Sequence, residues 1–93
     1  VPGYDVAMDI AGLAAERGVS IAPHGCQELQ LPFAAAIPHG ELLEIYPVAV
    51  DPLRAEMFQP LLQPDDDGFV TVPDRPGIGY ELNMDLLNRY RVG

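Results

Sequence analysis

The first 46 residues predict an α/β fold, because a helical repeat runs straight into a short apolar stretch and the same order then recurs. From Asp5 to Arg17 the apolar residues Val6, Ile10, Leu13 and Ala14 fall at helical spacing, with Asp9 and Glu16 between them. Val19 to Ala22 follows, an apolar run with two β-branched residues between Gly18 and Pro23, which reads as a buried strand. A helix passing within two residues into such a strand is the second half of a βαβ unit.

Asp5 suits the positive end of the first helix, and Gly18 is placed to end it because glycine takes a left-handed conformation at low cost. The alanine-rich run Gln27 to Ile37 favours a second helix. Pro32 lacks an N–H and clashes with the preceding turn if it sits deep inside, so the regular helix is expected to start at or near that residue. Pro38-His39-Gly40 ends it. Leu42 to Tyr46 is then a second run of strand length, stopped by Pro47.

Beyond Pro47 prolines recur at positions 52, 60, 64, 73 and 76 and helical periodicity fades. Asp67-Gly68 is a tight-turn signal, and Phe69 to Val72 after it reads as a strand of a small hairpin. Asn83 is placed to cap a last short helix over Met84 to Tyr90.

Two parallel strands joined by a helix need further strands and helices to cover both faces, and a closed β/α barrel takes about 250 residues. This chain has 93 residues, enough for the last two strands of such a barrel. A small α+β domain with an antiparallel sheet satisfies the same periodicity, and the pattern alone leaves both open.

Composition excludes several functions. The net charge of -9 comes from 14 carboxylates against five arginines, with no lysine, so phosphate backbones and anionic membrane surfaces are repelled. No apolar run approaches the roughly 20 residues needed to span a bilayer. Cys26 is the only cysteine, which removes an internal disulfide and agrees with a reducing cytoplasm. Val1-Pro2-Gly3 has no signal-peptide character, and the start reads as a cut through a longer chain.

His24 follows a predicted strand and the break at Pro23, and in parallel α/β architectures the carboxyl ends of strands are where active sites are built. Imidazole is the side chain best suited to move protons near neutral pH. Glu44 lies near the end of the next predicted strand. Adjacent parallel strands run about 4.8 Å apart, so the imidazole and the carboxyl group can face one pocket. Taken separately, a histidine after a proline is an ordinary loop residue and a glutamate near a strand end is ordinarily solvated.

The stretch from Ala14 through Gly18-Val19-Ser20-Ile21-Ala22-Pro23-His24, with Glu44 twenty residues on, resembles the last two strand regions of the mandelate racemase branch of the enolase superfamily. The tail Asp67-Gly68-Phe69-Val70-Thr71-Val72-Pro73-Asp74-Arg75-Pro76-Gly77-Ile78-Gly79 is similar to that family's closing signature. The resemblance implies that residues 1–46 are the last helix–strand–helix–strand units of an enolase-type (β/α)7β barrel. Residues 47–93 are then a C-terminal extension packing on the barrel and on an N-terminal capping domain.

It also implies chemistry. The family removes the proton α to a substrate carboxylate, giving an enediolate held by Mg2+. The histidine matching His24 is a general acid/base oriented by an aspartate of the preceding strand. The glutamate matching Glu44 donates or shares a proton with the substrate carboxylate, a role to which shielding by Leu42 and Ile45 is expected to suit it. The family's three metal-binding carboxylates and its lysine lie on earlier strands, so this chain alone is expected to bind no catalytic Mg2+ and turn nothing over. The resemblance further implies a cytoplasmic homo-oligomer acting on an acid sugar, most simply as a dehydratase, with racemisation or epimerisation as the runner-up. A stand-alone acidic interaction module with vestigial catalytic positions is the competing reading.

The remaining candidates have plain readings. Cys26 is too close to His24 in sequence to form a nucleophile pair easily. His39 lies at the opposite end of its strand from Glu44. Asp65, Asp66 and Asp67 lack the spacing of a calcium loop and read as a solvated turn. Gly77-Ile78-Gly79 opens no helix and serves a reversal of the tail.

Overall fold

The computed structural model describes residues 3–93. The chain divides into two compact units, one reaching to Glu44 and the other spanning Ile45–Gly93.

In the first unit, α1 spans Tyr4–Glu16 with Asp5 in its first turn. Its end follows the expectation from Gly18, which adopts φ 65°. Gly18 N–H bonds the Ala15 carbonyl at 3.1 Å and Val19 N–H bonds the Ala14 carbonyl at 2.9 Å. This paired closure satisfies two carbonyls that the helix itself leaves over. The stripe Val6, Ile10, Leu13 is nevertheless exposed, and α1 buries Ala7 and Ala11 instead, against Phe33 and Ile37 with Ile21 packed alongside. The two alanines lie four apart on one face and let the ring of Phe33 come close.

The second helix, α2, spans Gln27–Ala36 and therefore begins five residues before Pro32. The expectation of a start at Pro32 is corrected. The first turn is secured by the N–H groups of Leu29 and Gln30, which both bond the Cys26 carbonyl. An interior proline costs about 3 kcal/mol. Burial of Leu31, Phe33 and Ala34 on this helix offsets it. The hydroxyl of Tyr4 on α1 donates to the Leu29 carbonyl and ties the two helices.

The segments around Val19–Ala22 and Leu42–Tyr46 are extended but form no regular strand, and Val19 and Leu42 are exposed rather than buried. One rung joins them: Ile21 N–H donates to the His39 carbonyl at 3.2 Å. The next rung of a parallel ladder, two residues on, calls for an N–H from Pro23, which has none.

In the second unit, α3 spans Pro52–Met57, a helix that the proline-rich texture of this region concealed. Proline at its first position costs nothing, and the Asp51 carboxylate accepts from Arg54 N–H at 3.1 Å. Strand β1, Phe58–Gln59, pairs antiparallel with β2, Glu81–Leu82, in the register Phe58 with Leu82 and Gln59 with Glu81. The last helix, α4, spans Met84–Arg89, and the Asn83 side chain accepts from Leu86 N–H as its sequence position predicted.

The turn at Asp67-Gly68 forms, but Phe69–Val72 is not a strand. Phe69 is exposed and has no apolar face to cover, while Pro64 and Pro73 on either side donate nothing to a ladder. At the tail, Gly79 adopts φ 82° and a Cβ there would lie 2.7 Å from Pro73 Cβ, so only glycine fits this reversal. No helix among the described residues is long and apolar enough to cross a membrane.

Candidate functional site

Pro23 is buried and ends the first extended segment, and His24 projects immediately beyond it. Gly25 and Cys26 then take left-handed conformations, φ 74° and φ 43°, and the chain turns at once into α2. Glu44 is carried by the second extended segment, within the same compact unit. The two candidates meet: Nδ1 of His24 is paired with Oε2 of Glu44.

The pair is open to solvent, with side-chain exposures of 79% for His24 and 44% for Glu44. The expected shielding of Glu44 is not found. Leu42 is 71% exposed and turns its side chain to solvent, and Ile45 is half-buried. An ionised carboxylate only accepts hydrogen bonds, so a neutral imidazole held this way carries its hydrogen on Nδ1 and its lone pair on Nε2. The arrangement can therefore orient a base. It uses for that purpose the carboxyl group that the family resemblance assigns to the substrate.

The other sequence candidates do not join this pair. His39 is exposed with φ 59°, and its carbonyl serves the rung to Ile21. Cys26 is an exposed free thiol whose side chain makes no capping bond at α2. The Asp65 carboxylate accepts from the N–H groups of Asp67 and Phe69 at 2.9 and 3.0 Å, which makes the acidic cluster a self-closed turn. Gln27 and Glu28 are the residues that sequence reading passed over. Each is 1% exposed, directly after the loop bearing His24. The available signal was two polar residues at the head of a mostly apolar run.

A magnesium ion demands a near-octahedral set of oxygen donors. Among the described residues no group of three or more histidine, cysteine, aspartate or glutamate side chains could hold a metal. One carboxylate paired to an imidazole does not fit that ion.

The first unit thus brings a histidine and a glutamate together from two successive extended segments. The chain belongs to the enolase C-terminal domain-like family, whose model matches residues 1–86. It is 32% identical, over 100% of its own length and 24% of the relative's, to a 3,6-anhydro-alpha-L-galactonate cycloisomerase of Streptomyces coelicolor. It is also 32% identical, over 97% of its length and 27% of the relative's, to a D-galactarolactone cycloisomerase of Agrobacterium fabrum. The chain thus spans about a quarter of the curated relatives it matches. No solved structure matches it.

Proposed function

We propose that this chain supplies the final acid–base pair of a larger enzyme that acts on an acid sugar by removing the proton α to its carboxylate. The observation that carries this reading is the pairing of His24 Nδ1 with Glu44 Oε2; with Glu44 ionised, a neutral ring so paired has its lone pair on Nε2. Family membership and the names of the two relatives support the substrate class.

In this reading the α C–H bond breaks, its proton passes to His24, and the electron pair forms an enediolate on the substrate carboxylate. As the carboxylate Glu44 accepts from Nδ1 and orients the imidazole; protonated, it donates a hydrogen bond to the substrate carboxylate where charge develops. Collapse of the enediolate breaks the bond from the β carbon to its oxygen, which takes up the proton that His24 carries as it leaves. If that oxygen is a free hydroxyl, water is lost and the enzyme is a dehydratase. If it is tethered in a ring, the product is an isomer, and the relatives' names favour this outcome. Reprotonation without expulsion gives racemisation or epimerisation.

Residues 1–46 are read as the last units of an enolase-type barrel and 47–93 as an extension packed on the barrel and capping domain. The complete enzyme is read as a cytoplasmic homo-oligomer whose Mg2+ is held by groups outside this chain and neutralises charge on the substrate carboxylate. The isolated chain is read as inactive.

The test is α-proton exchange into deuterated water by the full-length protein, offered a panel of open-chain, lactone and anhydro acid sugars. Exchange with at least one, abolished in His24→Asn, is the expected result. Absence of exchange across the panel, or exchange undiminished in His24→Asn, overturns the reading.

A further inference from the structure

We propose that Glu28, with Gln27 beside it, is the positioning residue that aims His24 at Glu44. His24 and Glu44 are both largely solvent-exposed at their side chains, so little packing on the rings and carboxyl groups themselves holds them in register. An exposed ion pair contributes only about 0–1 kcal/mol and cannot dictate a backbone. The geometry has to come from the loop. That loop is anchored at both ends, by buried Pro23 before His24 and by Gln27 and Glu28 after Cys26.

Between the anchors the backbone is forced into an uncommon path. Cys26 sits at φ 43° and ψ 55°, where a residue with a Cβ is disfavoured, and Gly25 beside it at φ 74° is left-handed too. Such conformations persist only where the surroundings over-determine them. Cys26 supplies no side-chain cap to α2, so the restraint does not come from its own thiol. Gln27 and Glu28 are the largest fully buried side chains among the described residues. Burying a carboxylate and an amide is costly; each residue is engaged, although Gln27 Nε2 and Glu28 Oε2 make no hydrogen bond. Side chains packed to 1% exposure fix the first turn of α2 in one orientation. Immediately upstream of that turn stands the left-handed pair, and then His24.

The inference rests on the proposed function only in calling the His24–Glu44 pair catalytic; the positioning itself is a property of the loop. Its test uses the full-length protein labelled with 15N at histidine, with His24 ring signals assigned by His24→Asn, in Glu28→Ala, Glu28→Asp and Glu28→Gln. Wild type is expected to show one His24 tautomer, protonated at Nδ1. Glu28→Ala, and Glu28→Asp with its shorter reach, should show a tautomer mixture, and Glu28→Gln should restore most of the wild-type signal. With an active acid sugar, kcat should fall about tenfold to a hundredfold in the Ala and Asp variants with KM nearly unchanged, as for a misplaced base.

Should Glu28→Ala fail to fold, the Asp and Gln variants decide the matter. Wild-type His24 signals in a folded Glu28→Asp or Glu28→Ala overturn the inference. Should no acid sugar react while the tautomer still shifts with Glu28, the proposed function falls and the positioning stands.

Discussion

Glu44 reaches back across twenty residues of sequence to Nδ1 of His24, and the two side chains belong to the same compact unit. The pair is exposed, so its energetic weight and its chemical weight must differ. Glu44→Gln is expected to change the unfolding free energy by less than about 1 kcal/mol, the range of solvent-screened pairs. His24→Asn removes the proposed proton carrier, and in the full-length protein about 10²- to 10⁴-fold of the α-proton exchange rate should go with it. Denaturant titration and exchange kinetics on the same two variants check this separation. A loss of several kcal/mol in Glu44→Gln would show that the carboxylate is structural.

Gly40 should tolerate no side chain. It stands just after α2, and a Cβ there would lie 2.1 Å from the Ala34 carbonyl oxygen and 2.7 Å from Ile37 Cγ1. The first neighbour is backbone and cannot rotate away. Gly40→Ala is expected to destabilise the first unit by about 1–3 kcal/mol or more through overpacking, measured by urea unfolding. It should also disturb the rung from Ile21 to His39 beside it, read as faster exchange of the Ile21 amide.

Phe33 is the one large residue in the small core with Ala7, Ala11 and Ile37, and its truncation should cost more than any other apolar change in this unit. Phe33→Ala is expected to cost about 3–5 kcal/mol, and Ala11→Leu about 1–3 kcal/mol because Ala11 is 1% exposed and the extra atoms must displace neighbours. Thermal unfolding of both variants tests the order. If Ala11→Leu is neutral, α1 does not lie against Phe33 as described.

What could be read in the sequence was whatever depends on a few neighbouring residues. Gly18 announced the end of α1 and Asn83 the start of α4, because a cap is a local hydrogen-bond problem. The tail motif and the His24–Glu44 spacing pointed to the family that the chain belongs to. The strands were less legible, since a strand exists only through its partner. Apolar runs at Val19–Ala22 and Phe69–Val72 cannot say that Pro23 breaks the next rung or that Phe69 finds nothing to cover. Pro32 misled for a related reason. Its local cost is plain, while the burial of Leu31 and Phe33 that outweighs it is tertiary. Glu28 was overlooked because a glutamate at the head of a helix is ordinarily solvated, and only the packed structure shows it 1% exposed.

The two side-chain caps of the second unit should differ in what their removal does. Asn83 accepts from Leu86 N–H at 3.2 Å and also donates through Nδ2 to the Glu56 carbonyl at 3.3 Å, so it both starts α4 and holds the end of α3. Asp51 accepts from Arg54 N–H at the start of α3, and its other carboxylate oxygen lies 3.7 Å from Arg54 Nε. Arg54 is 6% exposed and also donates to the Tyr46 carbonyl at 3.2 Å. Loss of a cap alone costs about 0.5–2 kcal/mol. Asn83→Ala is expected within that range, with Asn83→Asp recovering the cap but not the bond to Glu56. Asp51→Ala is expected to cost more than Asp51→Asn, because alanine removes the cap that asparagine keeps and also the polar neighbour 3.7 Å from a buried guanidinium. Combining Asp51→Ala with Arg54→Met should then be less damaging than the sum of the two single changes, since the second removes the charge that the first leaves poorly matched. Strict additivity in that cycle, measured by denaturant unfolding, would mean that Asp51 acts on α3 as a backbone cap alone.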